Sequence, residues 1–572
     1  MVPPTFRIGL VWCCVAMLMA PCSLEAAELD AGTIMRDLGD QLQKIPETPK
    51  GPLIAPRDSA SVVSTPGASR IMVNRIRITG ATMYSEAGLG SELTGYTGRE
   101  LTVDELHDAA QRLESFYARK GYFVRALIPE QDVRSGEVEI QVIESRLGKV
   151  SVEKSDGVRL SAERAKSYVT SSQKQGNRMK IKNFERGLLL LQQLPGVRSS
   201  AAVHRGDQPG SSDVQVTLEK VPLVSGTAGI DNHGGIATGE RRGSVSVNVN
   251  SPLKIGDQMS VKGLYTEGIS YGRVQYMVPL GYHGIRAGLY LSTLDYKLGG
   301  AYQALNATGD SRTAGGLVAM PLVLRRHSSL YGTMSYDYRQ FTDKAVSVVT
   351  GDKSVRCGTV SLSGSWSDEL FGGAYTMVGA TGSFGNLDLS RLEAVRNYDQ
   401  AGARTSGGYE KLMINISRIQ QIHDPGTRLT VSVSGQLSSG NLDSSEKFIL
   451  GGPNGVRAYP VSEGSGDDGM LATVELRKIF SNEFHVFGFY DYGTIRRYSE
   501  LYPSVAAGMK TPNTYSLDGV GVGVVMRPLS GLFIKSTVST RLRSNPAADL
   551  NGNDHDGTKR KPRLWVDATY AF

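Results

Sequence analysis

The residues that could carry chemistry do not gather. The eight histidines (His107, His204, His233, His283, His327, His423, His485 and His555) stand far apart. None forms the i, i+4 pair that turns two imidazoles toward one zinc ion. Asn551-Gly-Asn-Asp-His-Asp-Gly557 is rich in oxygen donors, but Gly552 stands where a calcium loop needs its first Asp and no Glu closes it. We read it as a polar loop. There is no Gly-rich loop ending in Lys-Ser/Thr, hence no phosphate cradle and no use of ATP by this chain. The sequence therefore predicts no catalytic set, no metal and no cofactor. Two charged residues stand in Gly-bearing segments. Arg457 lies in Ile449-Leu-Gly-Gly-Pro-Asn-Gly-Val-Arg-Ala-Tyr-Pro460, and Asp491 lies in Gly488-Phe-Tyr-Asp-Tyr-Gly493.

The elements that must position them begin with a positive start at Arg7. An apolar core of about eleven residues follows, then small residues up to Ala27, which predicts a secretory signal peptide over residues 1–27. Cys13, Cys14 and Cys22 fall inside it, so removal would leave Cys357 alone and no internal disulfide. A lipoprotein reading through Cys22 is weaker, because Pro21 sits where a small residue is wanted. Residues 28–46 predict an amphipathic helix, with Asp30 as N-cap and Ile34, Leu38, Leu42 and Ile45 on one face. Pro46 ends it, and together with Pro49, Pro52, Pro56 and Pro66 it marks 47–70 as an extended linker. A helix on such a tether suits an element that docks and undocks. Lys+Arg 63 against Asp+Glu 56 leaves a net charge of +7 spread over 572 residues. That is no concentrated basic stripe, and no nucleic-acid partner is expected.

Residues 71–146 predict strand, helix, helix, strand, strand. Ile71, Val73, Arg75 and Arg77 are assigned to one side of the first strand and Ile76 and Ile78 to the other. A helix is expected at Tyr84–Leu93. A second, Thr102–Lys120, opens on the capping box Thr102…Glu105 and presents Val103, Leu106, Ala110, Leu113 and Tyr117 on one face. Residues 147–222 repeat the order, with helices at Ser161–Tyr168 and Ile181–Leu194 and strands at Val197–Arg205 and Asp213–Glu219.

From 223 to 572 the period is two, and glycine is concentrated here. Leu429, Val431, Val433 and Leu437 alternate with Thr430, Ser432, Ser434 and Gln436. Leu532, Ile534 and Val538 alternate with Lys535, Thr537, Ser539 and Arg541. After the first 20 residues no apolar run is long enough for a membrane helix. Ten-residue alternating segments between polar turns are instead the pattern of a transmembrane β-barrel, and the length predicts about sixteen strands. The last segment, Arg563–Phe572, alternates the same way.

The strand–helix–helix–strand–strand repeat resembles tandem POTRA domains. The segment around Val456, Arg457, Ala458 and Tyr459 resembles the tip of the sixth extracellular loop in the outer-membrane assembly superfamily. Gly488, Phe489, Asp491 and Gly493 resemble that superfamily's Asp-bearing strand motif. With the helix, linker, two POTRA-like units and barrel, the chain resembles the two-partner secretion transporters of the filamentous-haemagglutinin and haemolysin type in Gram-negative outer membranes. The resemblance implies that Arg457 folds into the lumen onto Asp491, and that the N-terminal helix plugs the pore. It also implies that POTRA domains in the periplasm receive the N-terminal secretion domain of a large unfolded exoprotein, and that a final strand ending in Phe572 is read by the barrel-assembly machinery. Ala458, where the family usually has Gly, puts a tight loop tip in question. The alternative function is an assembly factor that inserts other barrels into the membrane. A membrane enzyme would need Ser and His on neighbouring strand ends, which the sequence does not place.

Overall fold

The computed structural model describes residues 29–42, 70–422, 424, 426–503 and 509–572. The expected signal peptide, nearly all of the linker and Ile45 lie outside the described residues, as does the side chain of Leu42.

Residues 70–220 form two α+β units of one topology. In each three-stranded sheet the last strand is central, parallel to the first and antiparallel to the second. Glu137–Glu144 pairs with Arg75–Thr79 and Val124–Leu127, and Ser211–Lys220 pairs with Arg146–Lys154 and Val197–Arg205. The repeated order expected from the sequence is present in both units. In the first, helix Val103–Arg119 lays Leu106, Ala110, Leu113 and Tyr117 on the sheet. Its capping box closes reciprocally, Glu105 N donating to Thr102 Oγ1 at 3.2 Å and Thr102 N to Glu105 Oε2 at 2.8 Å. Such a cap is worth about 1 kcal/mol. Val103, expected on the buried face, is exposed at the first turn.

Two expectations need correction. The first strand does not run unbroken from Ile71 to Gly80. It changes partners at Asn74: Ile71–Val73 pairs with Arg99–Leu101, and Arg75–Thr79 joins the main sheet. Gly136 O accepts both Asn74 N and Arg75 N there, at 2.7 and 3.2 Å. The kink resets the alternation, so Val73, Ile76 and Ile78 are all buried. The helix expected at Tyr84–Leu93 is one turn, Glu86–Gly90, capped by Ser85 and continued as a 3-10 segment, Ser91–Tyr96. Gly88, Gly90 and Gly95 are poor helix residues and leave little to propagate.

Backbone bonds tie the two units to each other, and side chains tie the second to the β region beyond residue 222. Met179 N donates to Ser145 O, and Phe123 N donates to Met179 O, at 2.8 and 2.9 Å, so a segment of the second unit is stitched between strands of the first. The second unit rests on the near-side turns of the β region. Arg159 donates to Ser251 O and Pro252 O, and Tyr168 meets Tyr282 edge to face.

Sixteen antiparallel strands, from Val224–Asp231 to Arg563–Ala571, close into one barrel. The last pairs with the first from Asp567↔Asp231 to Ala571↔Thr227. Outward positions are exposed and apolar, as at Leu289, Val360, Leu362 and Leu564. Inward positions are polar, or packed against whatever enters the lumen. This is the alternation that a barrel in lipid demands, since each backbone group must be satisfied by a neighbouring strand. Phe572 extends the last strand, exchanging backbone hydrogen bonds with Gly226 at 2.9 and 3.0 Å.

Candidate functional site in the barrel lumen

The connection from Ser438 to Asp468 is the sixth on the far side of the barrel, and it folds back inside. A two-rung ribbon, Phe448–Ile449 with Ser465–Gly466, forms its neck. Beyond the neck Leu450, Val456, Ala458 and Tyr459 are all buried against Ile495, Tyr515 and Leu517 of the wall. This apolar seat delivers Arg457 to its partners.

The guanidinium forks onto Asp491, Nε to Oδ2 at 2.8 Å and Nη2 to Oδ1 at 2.7 Å, and the Arg457 amide adds a third bond to Oδ2 at 3.1 Å. Its plane lies 3.3 Å from the Phe489 ring centroid, and Nη1 is 3.4 Å from Glu475 Oε2. Thr473 Oγ1 steadies Asp491 at 2.9 Å. The Arg457 carbonyl accepts from Ser539 Oγ at 2.6 Å and Trp565 Nε1 at 2.7 Å. A bidentate pair supplies direction as well as strength. Here four wall strands grip one residue.

Sequence reasoning had placed Arg457, Phe489 and Asp491 but missed Glu475, Thr473, Ser539 and Trp565. Their signal was an inward position on an alternating strand, which they share with dozens of others. Gly488 faces away from the site. Gly493 matters by its emptiness: a Cβ there would lie 2.6 Å from Leu450 Cδ2. The doubt over Ala458 resolves the same way. Its φ is not left-handed, and its methyl occupies the space that a Cβ on Gly519 would take, 2.5 Å away.

The loop is braced at both flanks. Glu446 accepts from Arg339 Nη1 at 2.7 Å and Lys411 Nζ at 2.9 Å. Glu463 accepts from Asn545 Nδ2 and the His555 amide at 2.9 and 2.8 Å. Burial pushes its carboxyl up to about 7 against the pull of those two bonds. The polar loop 551–557 contributes Asp554, which ties Arg541 and Arg563.

The helix Ala31–Leu42 also lies inside the barrel. Asp30 caps it, accepting Thr33 N at 2.8 Å. The other carboxylate oxygen takes Lys353 Nζ at 2.6 Å and Ser444 Oγ at 2.5 Å. Burial opposes the charge on Asp30, but the Lys353 ammonium and these bonds hold its carboxyl at about 2. Ala31 N donates to Asp343 Oδ1 at 2.9 Å. Ile34 and Leu38 pack among Tyr296, Phe341, Leu387 and Tyr409 of the inner wall. On the other side Arg36 reaches Ser444 O at 2.8 Å, and Ser462 donates to Asp37. The helix thus touches both the wall and the folded-in loop.

A sixteen-strand barrel with lipid-facing apolar residues, two α+β units at one mouth and a loop clasped inside defines an outer-membrane translocator with POTRA domains in the periplasm. The chain belongs to the haemolysin secretion/activation protein ShlB/FhaC/HecB family, whose model matches residues 210–511. A ShlB-type POTRA domain matches residues 71–145. The chain is 24% identical over 489 residues to the heme/hemopexin transporter protein HuxB of Haemophilus influenzae, covering 84% of this chain and 83% of that protein. It is 22% identical over 415 residues to the outer membrane transporter CdiB of Dickeya dadantii, covering 71% and 72%. Among solved structures, CdiB from Escherichia coli has a similar fold, with a TM-score of 0.63 at 18% identity over 100% of this chain and 99% of that one. BamA from Haemophilus ducreyi lacking POTRA domains 1-3 has a TM-score of 0.55 at 13% identity over 88% and 100%. Members of this family serve a partner exoprotein.

Proposed function

We propose that this chain exports one large, unfolded exoprotein of the haemolysin or adhesin type, and that the unit 147–222 hands it from the unit 71–146 to the barrel, 223–572. The observation that carries the reading is the helix Ala31–Leu42, within the expected plug segment 28–46, seated in the lumen and bonded to wall and loop by polar contacts that water can replace. A Pro-rich stretch the length of 47–70 can span about 70 Å when extended, enough for the helix to leave toward the periplasm. The helix is then the resting plug, with Ile34 and Leu38 as its wall contacts; Leu42 and Ile45 are assigned to the same stripe by sequence spacing. The clasp at Val456–Tyr459 on Phe489, Asp491 and Gly493 fixes the loop while the client passes. The part of the client that the two units receive is its N-terminal secretion domain.

In the second unit the outer strand Val197–Arg205 pairs with Ser211–Lys220 on one side, and an unfolded client can add to its other edge as a strand with little sequence demand. The final strand with Phe572 serves insertion by the barrel-assembly machinery. Two POTRA-like units and a plug favour export over assembly of other barrels. The test is secretion of the exoprotein encoded beside this chain, with and without residues 147–222. Export should stop while the barrel still inserts. A broad fall in other outer-membrane proteins would mark an assembly factor instead.

A further inference from the structure

The inner wall of the barrel is two walls. On one side, around the Arg457 clasp, the inward positions carry charge: Glu475, Arg477 and Lys535. On the other, on the periplasmic side of the charged pair Asp337 and Arg339, they carry hydroxyls. Ser335 and Thr359 bond across strands at 2.6 Å, Ser361 and Thr381 at 2.9 Å, and Ser417 and Ser432 at 2.8 Å. These pairs join three consecutive strands, Ser328–Ala345 to Ala374–Asp388, and the next two, Gly407–Gln421 and Thr427–Ser438, to each other. No inward residue within 359–365, 377–383 or 413–419 is charged.

Both ends of this sector are already occupied in a telling way. At the periplasmic foot stands the helix Ile181–Gln192 of the second unit: Arg186 Nη2 donates to Pro321 O at 2.9 Å, and Gln193 reaches Tyr331 Oη at 2.5 Å. At the outer end lies the helix Ala31–Leu42. The strand it packs on carries Ser311 and Thr313, inward opposite Phe341 and Arg339. They are 1% and 7% exposed, and among the described residues neither hydroxyl has a hydrogen-bond partner.

We infer that the exported chain travels along this hydroxyl wall, from the foot beside Arg186 to the seat now filled by the N-terminal helix. The inference rests on the export reading above and adds the route. An extended polypeptide presents one N–H and one C=O per residue whatever its sequence. A hydroxyl both donates and accepts, so a hydroxyl lattice can exchange bonds with any backbone. While no client is present its members satisfy one another. A charged wall would hold oppositely charged side chains and repel like ones, whereas passage needs contacts weak and numerous enough to leave as well as enter. Ser311 and Thr313, unpartnered by the helix, gain partners when a polar backbone replaces it. The helix then blocks the pore by occupying the client's own lane.

The experiment places a photo-crosslinking amino acid at Ser361 or Ser417, and in separate proteins at Gln275 or Lys535 on the other wall. The probe is the exoprotein encoded beside this chain, stalled in transit by a disulfide-closed domain fused to its C-terminus. We expect cross-links from Ser361 and Ser417 at least fivefold above those from Gln275 and Lys535. The double variant Ser361→Asp/Thr381→Asp should lower secretion at least fivefold, and Gln275→Asp less than twofold. Heat-modifiable mobility shows whether each barrel is folded; if the double variant is not, the cross-link ratio decides alone. Equal cross-linking from both walls, or an excess from Lys535, overturns the route and leaves export standing. Absence of any secretion by the unaltered protein overturns the export reading and the route with it.

Discussion

Arginine on carboxylate fastens two regions of this molecule, with opposite character. In the lumen Arg457 and Asp491 are almost wholly buried, with side chains 7% and 0% exposed. They are forked at 2.7 and 2.8 Å and backed by Phe489, Ser539 and Trp565. Between the periplasmic units Arg178 is 40% exposed, its Nε is 3.4 Å from Glu144 Oε2, and its other anchor is Thr82 Oγ1 at 2.7 Å. The first holds a loop whose two ends already lie in barrel strands, so it fixes a part that has nowhere to go. The second joins two domains across a wet seam, where water replaces it at small cost. A dry latch determines position, and a wet one biases an angle.

Breaking the dry latch should have the largest effect. Arg457→Ala leaves Asp491 buried without its cation, a loss of about 3–5 kcal/mol for such pairs. We expect the barrel to insert, the loop to become sensitive to protease and secretion to fall by about tenfold or more. Wild-type secretion would mean the clasp is ornamental. Exchanging the charges, Arg457→Asp with Asp491→Arg, should restore only part of the activity. The new Asp would face Glu475, which now helps Arg457.

The plug's anchor lies between these extremes. Lys353 joins Asp30 and Asp443, with side chains 9%, 17% and 12% exposed. Deleting residues 28–46 should raise single-channel conductance severalfold in planar bilayers. Lys353→Met should shorten closed times by about tenfold, since hydrogen bonds to a charged group contribute roughly 1.5–3 kcal/mol. Unchanged closed times would place the holding force in the Ile34 and Leu38 contacts alone.

The barrel was legible because period-two alternation marks a strand with one face in lipid, and the Arg457–Asp491 contact because both segments resemble motifs of the outer-membrane assembly superfamily. Glu475, Trp565 and the Ser361–Thr381 lattice left no such mark. Each is an ordinary inward residue whose meaning depends on which strand becomes its neighbour. The break at Asn74 was hidden for a related reason. Nothing in Ile71–Thr79 reports that its two halves pair with different strands, a fact held by Gly136 more than sixty residues away.

Breaking the wet latch should give the smallest effect. Arg178→Ala should cost about 0.2–1 kcal/mol and change secretion less than about threefold, with the loss shrinking further in high salt because the pair is screened.

The last test separates Glu144 from its arginine. Burial opposes its charge, but bonds from the Thr82 hydroxyl and amide and the Met83 amide hold its carboxyl below the usual range. A carboxylate lowered in the folded state contributes stability that is complete above its unfolded value, near 4.3. That stability is lost as pH falls through the lower folded value. The first unit should therefore melt at a constant temperature from pH 8 to about 5 and progressively earlier below about 4. Glu144→Gln should lower the melting point at pH 7 and remove part of the acid-side fall, while Arg178→Ala should leave that fall in place. If Arg178→Ala abolished it instead, the arginine and not the loop around Thr82 would be what holds Glu144 ionised, and the contrast between the two latches would disappear.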